Sequence, residues 1–313
     1  MSVKNKNRFQ YQVATGRLTL PVAILLSLVF CGISFQGWES LGAWFMCACV
    51  TYLIIELNTT FALIRTRTSL PSAFFLVCFS VCPFLHTFGA GTFLPLLFIG
   101  MLFSLFRSFE SPSASTTIYH AFCCVGIIGI IVPQTLYLTP VLYLLMIQLR
   151  SLNPRTFFAG VLGLLTPYWL GSCYLLYKGN WLETAQEFRQ QLIPVISDYN
   201  LLGWDQYLSL GILLVITLLC TAQSLPQTYQ DKVQTRILLR TLMALEIIVI
   251  AFILLLPASF NGLFPMLLIC ASIFFGHFFA LVFNRFTQIS LWVILALLGI
   301  MTLFNVWTHF YTI

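Results

Sequence analysis

An acidic residue lies in the middle of one of the most apolar stretches of this 313-residue chain. Glu246 is flanked by Leu242-Met-Ala-Leu on one side and by Ile-Ile-Val-Ile on the other. A charged side chain at the centre of a membrane costs at least about 2.5 kcal/mol and normally faces protein or water. His277 belongs to the next apolar stretch, which would run antiparallel, and we expect it at a similar depth. The pair suits a proton relay or a substrate contact; the alternative is one interhelical hydrogen bond that holds the bundle together.

A second group of polar residues follows another apolar stretch. Glu56 and Asn58 come at its end, and Arg65 and Arg67 follow within three turns of a helix. Arginine binds phosphate through a planar fork of donors, which lysine lacks. Anchoring at the inner face of a membrane explains the arginines, but it does not explain the acid and the amide beside them. This group is therefore a candidate substrate path.

A proline interrupts the apolar stretch 157–177, in the run Thr166-Pro167-Tyr168. Proline inside a helix removes a hydrogen bond and kinks the helix. Broken helices often mark binding sites in transporters, which makes Thr166 and Tyr168 candidate site residues. A kink that serves packing alone is the other interpretation.

The segment 178–206 contains an amphipathic stretch. Trp181, Leu182, Ala185 and Phe188 recur at helical spacing, opposite polar side chains. This pattern predicts a helix in the membrane interface. The helix either returns the chain from one half of the bundle to the other or covers a cavity. The acids that accompany Trp181 as candidate contacts are Glu183, Glu187, Asp198 and Asp205.

The composition determines which elements position these residues. Hydrophobic residues make up 59% of the chain and charged residues only 8%, against about 25% charged residues in a soluble domain. That little charge cannot cover a soluble globule of this size, so a soluble enzyme, a disordered chain and a secreted disulfide scaffold are excluded. Apolar runs this long and continuous are typical of helices rather than barrel strands. We predict an all-α, polytopic transmembrane helix bundle.

The apolar runs predict about eleven spans, with a range of nine to eleven, because roughly 20 residues cross a bilayer core. The third to sixth runs are short, and the pairs within 72–107 and 118–149 could instead be re-entrant hairpins. The predicted spans are 19–36, 41–60, 72–88, 91–107, 118–133, 135–149, 157–177, 207–224, 236–256, 263–283 and 289–310.

The distribution of lysine and arginine predicts the orientation. With the N-terminus in the cytoplasm, only Lys178 and Arg189 of the 15 basic residues fall outside. A wrong span count would scatter the charges, so the asymmetry favours an N-in, C-out arrangement. Topology and anionic lipid then account for the net charge of +6, and no pattern suggests nucleic acid.

The predicted spans divide the chain into four parts. Residues 1–18 form a basic cytoplasmic N-terminus, and 19–177 form a first bundle of about seven spans. The outer segment 178–206 follows, and 207–313 form a second bundle of about four spans. No cysteine or histidine spacing predicts a metal site, and no nucleotide-binding loop or cofactor motif is present.

Three runs resemble a family of uncharacterised polytopic bacterial inner-membrane proteins. They are Glu56-Leu57-Asn58 through Pro71, then Pro83-Phe84-Leu85-His86, and Leu152-Asn153-Pro154-Arg155-Thr-Phe-Phe-Ala-Gly. The resemblance covers most of the chain. It implies a location in the bacterial inner membrane, and it brings no reaction or catalytic residue.

Three classes of function fit these observations. Transport or flipping of a small solute or a lipid-linked molecule, with an anionic or lipid-linked substrate among the options, fits Glu246, the broken span and the outer segment. It requires an ion gradient or a partner ATPase. An envelope enzyme acting on lipid-linked sugars would need an outer acid such as Glu39 or Glu187. Such enzymes usually carry acids in a long first outer loop, and here that loop is only Gln36–Ser40. A non-catalytic scaffold subunit is the third class, and the sequence identifies no protein partner.

Overall fold

The computed structural model describes residues 8–35, 37–111, 113–179, 181–192 and 202–312. Within these ranges the chain is helical, with short 3-10 turns that begin at Pro83, Ala90, Pro133 and Pro257. The α-helices, in chain order, are α1 Arg8–Thr15, α2 Thr19–Ile33, α3 Trp38–Phe61, α4 Leu70–Ser80, α5 Leu94–Arg107, α6 Ser115–Ile131, α7 Leu138–Gln148, α8 Pro154–Lys178, α9 Trp181–Leu192, α10 Trp204–Thr228, α11 Val233–Leu255, α12 Phe260–Leu281 and α13 Arg285–Thr312.

Seven of the described helices are long and apolar enough to cross a membrane, which makes this an integral membrane protein. They are α3, α5 with the 3-10 turn before it, α8, α10, α11, α12 with the turn before it, and α13. An eighth crossing would come from α1 and α2, which meet at an angle of 84°. Each predicted span contains a helix, but α4 and α7 have only 11 residues each, α2 has 15 and α6 has 17. The count of eleven crossings is therefore not confirmed.

Helix α12 lies at the centre of the bundle. Its membrane-length window is completely buried, as expected for a helix that is apolar on every side. It packs against α4 and α5 as well as α10 and α11, so helices from both predicted bundles share one core. Gly276 allows this packing at one crossing, because a Cβ atom there would collide with the ring of Pro71.

Helices α6 and α8 form a closely packed pair beside that core. A Cβ atom at Gly163 would meet the carbonyl oxygen of Tyr119, and one at Gly126 would meet Pro167. Small residues let membrane helices approach closely and pack through van der Waals contact. A capping box between Asn153 and Thr156 begins α8. Only 17% of the membrane-length window of α8 is buried, so most of this helix faces away from the bundle.

Hydrogen bonds between helix ends define two ends of the bundle. At the first, Gln10 donates from Nε2 to the carbonyl oxygens of Phe279 and Val282, at 3.1 and 2.7 Å. We call this the basic end, since it holds the turns that carry Arg65 and Lys232. At the opposite end, which we call the far end, Gln206 Nε2 donates to Asn261 Oδ1 at 3.0 Å. Lys178 lies at the last residue of α8, and Arg189 lies in α9.

Candidate functional site

A buried cluster of charged and titratable side chains lies at the basic end. His277 Nε2 is 2.9 Å from Asp231 Oδ2, and both side chains are completely buried. Because a carboxylate only accepts hydrogen bonds, Nε2 is the nitrogen that carries the hydrogen. Arg65 Nε lies 2.8 Å from Asp231 Oδ1. The contact is an ion pair rather than an aligned hydrogen bond, because Oδ1 accepts no hydrogen bond within the described chain.

Local structure brings Arg65 to this cluster. Asn58, near the end of α3, accepts a hydrogen bond from the backbone N–H of Ile64 at 3.1 Å. That bond closes a turn in which Ala62 has a positive φ of 47°. Thr235 of α11 donates to the carbonyl oxygen of Ala62 at 3.4 Å. The turn after α3 is thus tied to the start of α11, beside Asp231.

The structure separates the four members of the polar group near the end of α3. Asn58 shapes the turn, and Arg65 is occupied by Asp231 instead of being directed at phosphate. Glu56 is exposed on the surface of α3, where its Oε1 accepts a hydrogen bond from Thr60 at 3.2 Å. Arg67 is also exposed. The four residues therefore do not converge on one site.

Glu246 does not pair with His277. It is 2% exposed and accepts one hydrogen bond, from Thr221 Oγ1 to Oε2 at 3.0 Å. Its other oxygen, Oε1, has no partner within the described chain. The register of the hairpin explains the error, because His277 lies roughly nine residues further from the turn at Pro257 than Glu246 does, about 13 Å along a helix axis.

Two hollows lie beside α3. The first opens at the far end and has a volume of about 210 Å³. We call it the far-end cavity. Thr87, Thr92 and Asn261 supply polar groups to its lining, and the rest is mainly apolar. Its other lining residues are Ala43, Met46, Cys47, Val50, Phe75, Phe79, Phe84, Leu85, Gly89, Gly91, Pro95 and Pro265.

The second hollow, which we call the lateral cleft, lies between α2, α3 and α4 and has a volume of about 340 Å³. Along α3 its lining extends from Trp44 to Ile55, about 16 Å at 1.5 Å per residue. That length matches one leaflet of a bilayer core about 30 Å thick. The cleft lining also includes Leu28 and Tyr52, which are more than half exposed on the side of the bundle.

Cys47 and Phe79 line both hollows. The far-end cavity and the lateral cleft therefore lie on either side of one thin wall. Trp44, also in the cleft lining, has a buried indole N–H with no hydrogen-bond acceptor within the described chain. A buried donor of this kind favours a ligand that brings an acceptor oxygen.

A third hollow of about 400 Å³ separates α8 from α9. Four residues selected from the sequence are near it: Tyr168, Trp181 and Glu187 line it, and Thr166 lies two residues before Tyr168 on α8. The ring of Phe188 contacts that of Tyr168 at 5.6 Å. Thr166 itself accepts a hydrogen bond from Tyr119 Oη at 3.0 Å and donates to the carbonyl oxygen of Leu162 at 2.6 Å.

The other predicted outer residues do not line this hollow. Glu183 is in the first turn of α9, and Asp205 is in the first turn of α10. At these positions an acid stabilises the helix dipole. Asp198 lies outside the described residues.

The sequence interpretation missed Asp231, Gln10 and Trp44. Asp231 was detectable as the acid in an otherwise basic turn, beside Lys232. Gln10 and Trp44 carry no pattern that separates them from other polar and aromatic residues near span ends.

Within the described ranges, no group of three or more His, Cys, Asp and Glu side chains could hold a metal ion. Comparison of the chain with protein-family models, with curated proteins and with solved structures gives no match in any of the three. The case for a function therefore comes from the geometry of the chain itself.

Proposed function

We propose that this integral membrane protein moves an amphipathic molecule, of the lipid-linked class, between the two leaflets of the bacterial plasma membrane. The observation that carries the proposal is the common wall of the far-end cavity and the lateral cleft, formed by Cys47 and Phe79. A molecule with a polar head and a long apolar chain fits two such hollows, one with polar groups at the far end and one along the side.

The cleft is suited to the apolar chain. Its lining is mostly hydrocarbon. The polar groups in it are the hydroxyls of Ser27, Thr51, Tyr52 and Ser80, the thiols of Cys31 and Cys47, and the indole of Trp44. The serine and threonine hydroxyls are already occupied by helix carbonyls, since Ser27 donates to Ile24, Thr51 to Cys47 and Ser80 to Leu76. Trp44 is left to donate to an oxygen at the junction of head and chain. Its indole is amphipathic, as is typical at a membrane interface.

The far-end cavity is suited to the head. Backbone at Gly89 and Gly91 and the side chains of Thr87, Thr92 and Asn261 form its polar lining. None of the described residues that line it is charged. The proposed contacts with the head are therefore hydrogen bonds, as for a sugar, rather than ion pairs.

Distribution of charge supports the proposed orientation. The described cations at the helix ends around Asp231 include Arg65, Lys232 and Arg285, whereas the far end has Lys178 and Arg189. By the positive-inside rule the basic end faces the cytoplasm, and the far-end cavity opens outward.

The test compares lipid-linked intermediates by mass spectrometry in cells that lack the gene and in cells complemented by variants. Ala48→Trp places a large ring in the lateral cleft, and Ala296→Trp places the same ring on the exposed face of α13. We expect deletion and Ala48→Trp to accumulate one lipid-linked precursor, and Ala296→Trp to restore the wild-type profile. Equal profiles in all four strains would contradict the proposal.

A second candidate function is supported by the hollow between α8 and α9. Glu187 gives it a carboxyl group, and Tyr168, Trp181 and Phe188 give it aromatic rings. A carboxyl beside aromatic rings suits an enzyme that acts on a lipid-linked sugar at the outer face. Glu187→Gln separates the two candidates: loss of product with a filled precursor pool indicates an enzyme, and an unchanged profile leaves transport.

A further inference from the structure

We propose that Arg65, Asp231 and His277 form a proton-binding site that keeps the basic end closed while His277 is neutral and releases it when His277 takes up a proton. This inference deepens the proposed function, because it names the ion whose gradient would drive transport. The sequence has no nucleotide-binding loop that would supply energy instead.

The three residues come from three separate elements. Arg65 lies in the turn between α3 and α4, Asp231 in the turn between α10 and α11, and His277 in α12. Arg65 Nη1 also donates to the carbonyl oxygen of Gln230 at 3.5 Å. The cluster therefore joins two turns across the end of the central helix, and separation of the cluster would free both turns.

The hydrogen bonds favour a neutral imidazole in this arrangement. Nε2–H of His277 donates to Asp231, and Nδ1 is buried without a hydrogen-bond partner in the described part of the chain. A proton added at Nδ1 would create a buried N–H donor that has no acceptor. Such a group is costly away from water.

The charges around His277 lead to the same conclusion. Asp231 and Arg65 are the charged groups that act on its imidazole. Gln10 on α1 and Pro71 on α4 are uncharged, and α11 brings the cations Arg236 and Arg240 to the same end. Glu56 on α3 is exposed and binds Thr60. A protonated His277 would thus share one buried carboxylate with Arg65, with no second acid to balance it among the residues described.

Two costs oppose protonation of His277: a buried N–H donor without an acceptor and a positive charge without a second acid. Water at Nδ1 would remove both, since it accepts the new hydrogen bond and screens the added charge. Uptake of a proton therefore favours the conformation in which the turns around Arg65 and Asp231 separate and the basic end opens. Release of the proton restores the closed arrangement. Coupling of this kind needs a side chain whose charge can change, and an imidazole in contact with water titrates between about pH 5 and pH 8.

Hydrogen–deuterium exchange on the full-length protein in nanodiscs tests this site without a substrate. Exchange in the turns 62–69 and 229–232 is measured at about pH 5 and about pH 8, after correction for the intrinsic rate. We expect these turns to exchange at least about threefold faster at the lower pH in the wild type. His277→Gln retains an N–H donor for Asp231 but cannot titrate, and we expect its exchange to be the same at both pH values.

His120→Gln is the matched control, because His120 is exposed at the start of α6, at the basic end. It should keep the wild-type pH dependence. Wild-type turns that exchange equally at both pH values, or a His277→Gln protein that keeps the pH dependence, would overturn the proposal. Since this experiment involves no transport, failure of the proton site and failure of the proposed function give different results.

Discussion

Two buried carboxyl groups of this bundle lie in different surroundings. Asp231 is in a turn at the basic end and contacts both an arginine and a histidine from other elements. Glu246 is inside α11 and has a single hydroxyl, that of Thr221, as its partner. Glu246 lies inside a membrane-length helix, where burial of an acid is more costly. It nevertheless has fewer polar contacts than Asp231.

The difference indicates separate roles. Asp231 joins two turns, so a change in the charge of its partners can release both turns. Glu246 has one hydroxyl partner, so a change in its protonation breaks no contact between turns. Glu246 also lines none of the three hollows described above. Position in the membrane identified Glu246 but not Asp231, whose partners come from other elements.

The largest effect is expected at the basic end. Asp231→Asn removes the negative charge that Arg65 and His277 share, and we expect it to lower the free energy of unfolding by about 2 kcal/mol. The partial exposure of Arg65 limits the loss. Thermal unfolding of the purified protein measures it. A melting temperature equal to that of the wild type would show that the ion pair contributes nothing to closure.

A smaller effect is expected at Gln10. Gln10→Leu removes two hydrogen bonds donated to the end of α12 and one accepted from Thr287, and we expect a loss of about 1 kcal/mol. Gln12→Leu makes the same change at an exposed position on the same helix. The two variants are compared by thermal unfolding. Equal melting temperatures would mean that α1 does not help to seal the basic end.

The smallest effect is expected at Glu246. Glu246→Gln keeps an oxygen that accepts from Thr221, so we expect a change in stability below about 0.5 kcal/mol. Lipid-linked intermediates in cells carrying this variant should match the wild type, because the proposed proton site is elsewhere. Accumulation of a precursor in cells with a stably folded Glu246→Gln protein would contradict this and show that Glu246 takes part in transport.

The sequence was sufficient for the class of fold and for the approximate positions of the helices. Composition and the lengths of the apolar runs indicate whether lipid or water surrounds the helices. The integral membrane helices could therefore be predicted from them. The number of crossings could not, because α4, α6 and α7 are apolar but short, and a short apolar helix has the same composition as a span.

The candidate site was less accessible from the sequence. The free-energy cost of an acid inside a membrane drew attention to Glu246. The partner of His277, however, depends on which turns meet at the end of α12, and no local sequence pattern encodes that contact. The lateral cleft is likewise formed by three helices and is lined by ordinary apolar residues. Only packing distinguishes Trp44 and Cys47 from other residues of their types.

Identification of the molecules that purify with the protein tests the central claim most directly. Extracts of wild-type, Ala48→Trp and Ala296→Trp proteins, prepared in parallel, are compared by mass spectrometry. We predict that one amphipathic, lipid-linked species accompanies the wild type and Ala296→Trp in equal amounts and is depleted from Ala48→Trp. The same lipid profile in all three preparations would contradict the assignment of the cleft as a binding site.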